Sequence, residues 1–330
     1  MTSVLVLGEV DAGALTATSA ELLGAAGRLS DDLGGGVACA LIGGTVAGAA
    51  GAASAADAAI AAGADTVYVA DDAGLATYQI ETYLPVLHGI VEQDGPKVVL
   101  LAQSSIGRDL APRLATRLGS AAVMDALSLE MAGDRVKATR SSYGGNARQV
   151  VTVQTDPQVI TVRAKSQDPL AEDAGRSGNV ETVAVELAAA KATVTGKEQA
   201  SSEGVRLEDA EIVISGGRGL GAPEAFSDLE RLAGIVGGAV GASRAACDLG
   251  WYPPSQQVGL TGTVVSPTLY LAIAISGASQ HMAGCGGSKN IVAINKDPEA
   301  NIFRFSRFGI VDDYKKVLPA IEAELTKAFS

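Results

Sequence analysis

Short apolar runs alternate with longer stretches of helical spacing through the first third of the chain. Residues 4–7 precede 17–29, 38–42 precede 49–62, 67–70 precede 78–93, and 98–102 precede 109–118. The short runs carry no polar alternation, which is the pattern of strands covered by helices on both faces. A parallel α/β sheet is predicted. Asp71-Asp72 and Gln103-Ser104-Ser105 follow two of the runs, placing polar groups at carboxyl ends, where open α/β sheets bind ligands. From about residue 128 the pattern becomes β-branched and alternating, with segments at 148–154 and 159–163. Turn signals at Ala132-Gly133-Asp134, Tyr143-Gly144-Gly145-Asn146 and Asp156-Pro157 separate these segments, so antiparallel strands are expected to complete the first sheet.

Residues 165–179 read as an exposed loop and 182–185 as a further strand. The polar run 197–204 is the best linker, and domains over 1–196 and 208–330, joined by 197–207, are expected. The second domain begins with a strand at 211–215 and a helix near 223–235. It continues with strands at 239–242, 271–275 and 290–294 and closes with a helix over 314–328. At 330 residues the chain has about twice the usual domain length.

Composition changes this picture in one respect. With 58 alanines, 40 glycines and only 4% aromatics, the cores must be built from small and aliphatic side chains. The net charge of −12 argues against binding to nucleic acid or an anionic membrane. It is concentrated before residue 190, which carries −10 against −2 for the rest, so a phosphate-bearing ligand fits the C-terminal part better. Cys39, Cys247 and Cys285 are odd in number and far apart, which disfavours both a disulfide framework and a thiolate metal site. The N-terminus reads as a strand without a basic signal region, and no apolar run is long enough to span a bilayer. A reducing cytosol is the expected compartment.

Three stretches could carry chemistry. Ser215-Gly216-Gly217-Arg218-Gly219-Leu220-Gly221 follows a strand and resembles a turn that lets backbone approach a pyrophosphate. Its spacing fits neither a Rossmann fingerprint nor a Walker loop, so a plain connection stays open. Gly241-Ala242-Ser243-Arg244 places a cation after a strand, although Asp248 stands four residues on and would pair with it as a surface ion pair. Ile275-Ser276-Gly277-Ala278-Ser279-Gln280-His281 gathers hydroxyls, an amide and an imidazole at a strand end. An ordinary capped helix is the alternative there. His88 reads as a structural residue of an amphipathic helix.

Read together, Val258-Gly259-Leu260-Thr261-Gly262, Ser276 through His281 and Asn290-Ile291-Val292-Ala293-Ile294-Asn295-Lys296-Asp297-Pro298-Glu299-Ala300 stand in one order. Ile302-Phe303 and Gly309-Ile310-Val311-Asp312-Asp313 follow. These motifs resemble the C-terminal FAD domain of the electron transfer flavoprotein alpha subunit, closely over 211–330 and more weakly in the first half. The resemblance implies two α/β domains, the second flavodoxin- or Rossmann-like. It also implies one FAD per alpha subunit and a beta subunit that carries AMP or a second FAD. Flavin dehydrogenases such as acyl-CoA dehydrogenases would be the donors, and a membrane quinone oxidoreductase or another acceptor would follow. Transfer would pass through an anionic flavin semiquinone. A competing reading is an NADH-oxidising or electron-bifurcating flavoprotein subunit.

Residue by residue, the resemblance places Arg244 against the isoalloxazine ring, Thr261 toward flavin N5 and His281 toward flavin O2. Ser276, Gly277 and Gln280 would line the ring and diphosphate, with Ser243, Val258, Gly259, Ala278 and Ser279 beside them. Arg218, Gly219, Asn295 and Asp313 would hold the phosphates and the adenosine end. Leu260 stands where the family often has Gln, which leaves only backbone contacts there, and Thr263 where many members have Lys. A cation or strong donor beside reduced flavin favours it, and Arg244 and His281 suit that role by type. One charge-assisted hydrogen bond worth about 1.5–3 kcal/mol raises a one-electron potential by roughly 65–130 mV. No acid/base pair or nucleophile is evident, in keeping with a cofactor that does the chemistry while the protein tunes it.

Overall fold

A computed structural model describes residues 2–44, 55–143, 147–187, 190–196 and 205–329. The chain divides into two compact units, Met1–Ser141 with Arg148–Lys197, and Ser142–Ala147 with Glu198–Ser330.

The first unit opens with β1 (Thr2–Gly8), the small hairpin β2 (Val10–Asp11) and β3 (Ala14–Leu15), and helix α1 (Ala17–Leu33). The Thr16 hydroxyl caps α1 by accepting from Ser19 N, and Gly34 ends it at φ 70°. Then come β4 (Gly36–Gly43), α2 (Ala56–Ala61), β5 (Thr66–Asp71), α3 (Ile80–Asp94), β6 (Val98–Ala102) and α4 (Ser105–Arg117). The remaining strands are β7 (Ala122–Ala132), β8 (Arg135–Ser142), β9 (Ala147–Val151), β10 (Gln158–Val162) and β11 (Asn179–Thr182). They form one sheet in the order β11-β5-β4-β1-β6-β10-β7-β8-β9.

Successive residues of β1 feed opposite faces, as strand geometry requires. Val4 and Val6 pack with Leu22, Leu23 and Leu29 of α1, whereas Leu5 and Leu7 join the core formed with Leu84 and Leu87 of α3 and Leu110 and Leu114 of α4. This two-sided burial explains the uninterrupted apolar runs.

Two sequence expectations are corrected here. Segment 159–163 is not antiparallel: β10 runs parallel to both β6 and β7 and lies between them. All five of its residues are buried, the signature of an interior parallel strand. β7 pairs antiparallel with β8. The strand expected at 182–185 lies earlier, at Asn179–Thr182, where it extends β5 in parallel. The described part of the helix expected at 49–62 is α2; residues 49–54 lie outside the described residues, as do 144–146 of one turn and 197–204 of the linker. Leu207, at the end of that linker, is buried in the core of the second unit.

The second unit contains β12 (Ile212–Gly216), α5 (Phe226–Val236), β13 (Ala239–Ser243), α6 (Arg244–Asp248), β14 (Gln257–Val258) and β15 (Leu269–Ile273). It ends with α7 (Ser279–Cys285), β16 (Asn290–Asn295), β17 (Phe308–Val311) and α8 (Tyr314–Ala328). Its six strands are parallel, in the order β14-β13-β12-β15-β16-β17. Counted from β12, this is the 3-2-1-4-5-6 order of doubly wound dinucleotide-binding sheets, whose switch point falls between the first and fourth strands. Here that is the seam between β12 and β15. Leu229 and Leu232 of α5 with Leu318 of α8 cover one face, and Met282 and Cys285 of α7 help cover the other.

Candidate functional site

Because all six strands run the same way, the segments after β12 through β17 emerge along one edge. Register places them side by side: Gly216 faces Ala242 and Ile273, Ser243 faces Val258, Ile273 faces Ile294, and Asn295 faces Val311. Hydrogen bonds then tie the loops together. Gly217 N donates to Ile273 O at 2.9 Å, Leu260 N to Gln280 O at 2.7 Å, and Ile302 N to Ser276 O at 3.0 Å.

Two glycines are required by close approach. A Cβ on Gly217 would lie 2.1 Å from Ala274 O, and one on Gly277, at φ 80°, would lie 2.3 Å from Ile302 N. Ala274 itself takes a left-handed φ of 54°, so the seam at the switch point is built from tightly apposed backbone.

On this rim stand the exposed Arg218, Gly219, Arg244, Leu260, Thr261, Ser276, Ala278 and Gln280, with Ser279 half-buried. The Arg218 guanidinium has no ion pair or hydrogen bond among the described residues, in a protein where many arginines are paired. Arg244 is paired: Nε lies 3.3 Å from Asp248 Oδ2, both side chains about two-thirds exposed (67% and 64%). The ion pair foreseen as the plain alternative therefore forms, yet so exposed a pair is cheap to break. The Thr261 hydroxyl accepts from Gln257 Nε2 at 3.0 Å. Ser243 caps α6, accepting from Ala246 N. Val258 and Gly259 are buried, with Gly259 packed against Gly284 of α7.

Two expected ligand residues, Asn295 and Asp313, are already engaged within the protein. Asn295 donates its amide to Ile275 O at 2.9 Å and accepts from Asp297 N at 3.0 Å, so it shapes the Ser276 loop. Asn301 does the same from the next loop, donating to Gly277 O at 2.7 Å. Asp313 caps α8 by accepting from Lys315 N.

His281 is the most deeply buried of the expected polar side chains. It is 7% exposed, and burial pushes its pKa down to about 4; the Val258 carbonyl opposes this more weakly. The ring is neutral at neutral pH, so of the two roles expected of it, cation or donor, the described chain holds it ready for the second. Nε2 lies 2.9 Å from the hydroxyl of Tyr270, a fully buried residue of β15. Nδ1 is buried with no hydrogen bond. Sequence reasoning missed Tyr270, although it is the one hydroxyl-bearing side chain in the run Leu269–Ile273.

Elsewhere, His88 pairs with Glu92 at 3.3 Å within α3, and all three cysteines are buried and free. Among the described residues no cluster fit for a metal occurs, and no helix is long and apolar enough to cross a membrane.

The strand order, the tight glycine seam at the switch point and the unpaired arginine beside it define a doubly wound module of the dinucleotide-binding class. Comparison with known proteins narrows this. Residues 4–188 match the electron transfer flavoprotein domain, and residues 206–286 match the electron transfer flavoprotein FAD-binding domain. The chain is 40% identical to the electron transfer flavoprotein subunit alpha of Bacillus subtilis, over 97% of this chain and 96% of the relative. It is 43% identical to that of Mycobacterium tuberculosis, over 97% of each, and 36% identical to a protein named FixB from Clostridium saccharobutylicum, over 99% of this chain and 97% of the relative. The chain belongs to the electron transfer flavoprotein alpha subunit family.

The residues present fit a flavin dinucleotide. His281 Nδ1 is buried without a hydrogen bond in the protein, Arg218 has no ion pair or hydrogen bond among the described residues, and Gly219, Ser276, Gly277, Ala278 and Ser279 are small side chains that leave room for a ring system.

Proposed function

We propose that the second unit binds one FAD along the carboxyl edge of its sheet and that the chain, paired with a beta subunit, carries electrons one at a time between flavoprotein dehydrogenases and a quinone oxidoreductase or another acceptor. The observation that carries this reading is the buried, unpartnered His281 Nδ1 beneath the switch-point rim of a sheet in dinucleotide-binding order. When bound, FAD would supply the redox chemistry.

The protein's own residues would do the rest. Arg218 and Gly219 would hold the diphosphate, with Ser276 and Ser279 adding hydroxyls. Arg244 would leave Asp248 to place its charge against the ring, and Thr261 and the backbone of Val258, Gly259 and Leu260 would border it. Gly277, Ala278 and Gln280 would line the same loop. Asn295 would act by shaping that loop, and Asp313 by fixing the start of α8 near the adenosine end. The partner subunit would carry AMP or a second FAD, and acyl-CoA dehydrogenases are the donor class to try first.

The test is co-expression with the beta subunit, followed by flavin quantification and reduction. One FAD per alpha chain is expected in its site, bleached by a reduced acyl-CoA dehydrogenase and unchanged by NADH alone. Rapid bleaching by NADH would favour the NADH-oxidising or bifurcating reading instead, and absence of stoichiometric FAD would refute the cofactor assignment.

A further inference from the structure

We infer that the second unit carries an anion site at the amino edge of its sheet, opposite the edge that bears Arg218 and Arg244, and that this site takes a phosphate group, free or on a small molecule. Lys289, Arg304 and Arg307 form it. The inference stands apart from the flavin reading, because the two sites share no residue.

Because β16 and β17 are parallel neighbours, the segments leading into them lie side by side. Lys289 immediately precedes β16 and Arg307 immediately precedes β17, and Arg307 N donates to Ile291 O at 2.8 Å. Arg304 ends the helical turn Asn301–Arg304 on the way into β17. With Phe305, Ser288 and Ser306, the three cations line one open cleft of about 260 Å³, and among the described residues no carboxylate lines it. None of the three is ion-paired among the described residues, and the side chains of Lys289 and Arg304 make no hydrogen bond there either. In a chain of net charge −12, three cations thus converge with no acid beside them to offset their repulsion. Glu211, a carboxylate on the same edge, accepts from Thr268 Oγ1 at 2.6 Å instead.

Arg307 is held in place. Its Nη1 donates to Asn290 Oδ1 at 2.7 Å, Asn290 Nδ2 donates in turn to Thr268 O at 3.1 Å, and the guanidinium carbon lies 5.9 Å from the centre of the Phe308 ring. That single bond to a neutral amide leaves the other guanidinium N–H groups for a ligand.

The remaining polar groups fix the class of ligand. Ser288 gives its proton to Cys285 O at 2.5 Å, and Ser306 gives its proton to Ile302 O at 2.8 Å. The side-chain donors left to the cleft are therefore cationic, which selects an anion over a neutral polyol. Two guanidinium forks and an ammonium match the several oxygens of a phosphate better than the two of a carboxylate. The cleft is smaller than the roughly 300–1,000 Å³ of sites for drug-sized ligands, so it takes the phosphate and little more. Phe305, 45% exposed, offers an apolar wall to whatever carries that group.

The test is calorimetric titration of the full chain in complex with the beta subunit, as wild type and as Lys289→Gln, Arg304→Gln and Arg307→Gln. The probes are inorganic phosphate, phenyl phosphate, acetate and a hexaglutamate peptide, at low ionic strength, where exposed charges are least screened. Phosphate is expected to bind with a dissociation constant on the order of 1 mM or tighter. Each substitution should weaken it about tenfold by removing one charge-assisted contact, and acetate should bind more weakly than phosphate. Phenyl phosphate binding more tightly than phosphate would assign an organic phosphate as the ligand, and equal or weaker binding would assign the free ion.

A wild-type complex that binds neither phosphate would overturn the inference. So would binding that all three substitutions leave undiminished, because the anion would then sit elsewhere. Acetate binding as tightly as phosphate would overturn the phosphate assignment, and hexaglutamate binding without either phosphate would replace it with an acidic protein segment.

Discussion

Acidification offers a direct measure of how deeply His281 is committed to the core. Its pKa is about 4 in the folded chain against an ordinary 6.5, so below about pH 6.5 the unfolded chain binds a proton that the folded chain does not. Stability must therefore fall as pH drops through that window, with the loss complete below the folded value. At about 1.4 kcal/mol for each unit, the difference amounts to ~3 kcal/mol. Urea unfolding between about pH 7.5 and pH 4 reads it, with fluorescence of Trp251 as the signal. That residue is the chain's one tryptophan and packs against the core shared by α5 and α8, so it reports on the second unit. Asp312 and Glu322, both held below their usual values by cationic or backbone partners, also lose stability in acid. They do so equally in His281→Gln, which removes the titrating ring. The difference between wild type and variant is expected to change by ~3 kcal/mol across the window, and a difference that stays flat would refute the buried, neutral state of His281.

Other predictions address the seam and the rim. Gly217→Ala is expected to force β12 and the Ala274 loop apart, because its Cβ would sit 2.1 Å from a carbonyl oxygen. Loss of FAD after gel filtration, with the fold retained by circular dichroism, would show it. Arg244→Ala should lower the one-electron flavin potential by roughly 65–130 mV, the worth of one charge-assisted hydrogen bond; an unchanged value in a redox titration would leave Arg244 in its surface pair with Asp248. Leu229→Ala, at a fully buried position between α5 and the sheet, should cost about 2–5 kcal/mol in urea unfolding.

Much of the architecture is legible in the sequence because two-sided burial leaves an unmistakable mark. Strands such as Val98–Ala102 have every residue buried, and a run of consecutive apolar residues reports that directly. Residues 159–162 carry a similar mark, yet Thr161 and the nearby turn signals made them read as antiparallel. Direction and neighbour are properties of partners far along the chain, here β6 and β7. The 3-2-1-4-5-6 order is hidden for the same reason. Edge strand β17 escaped because its four residues are exposed, so no burial pattern marked it.

At the site, residue types told more than residue states. The motif around His281 drew attention to the imidazole, but its neutrality comes from burial, beside Tyr270 eleven positions earlier on another element. Asn295 and Asp313 carry ligand-like chemistry that the fold spends on a loop and a helix cap. Arg244 shows both of its foreseen faces, a cation at a strand end and a member of an exposed i, i+4 pair.

The central claim is that the second unit holds a flavin dinucleotide at its switch-point edge. Counting flavin per alpha chain in the complex purified with its beta subunit, for wild type and for Gly277→Ala, tests it most directly. In Gly277→Ala a Cβ would press within 2.3 Å of Ile302 N and disturb the loop carrying Ser276 through His281. The account predicts one FAD per alpha chain in wild type, released as FAD on denaturation, and loss of that FAD in the variant. A wild-type complex without it, or an undiminished count in Gly277→Ala, would contradict the account.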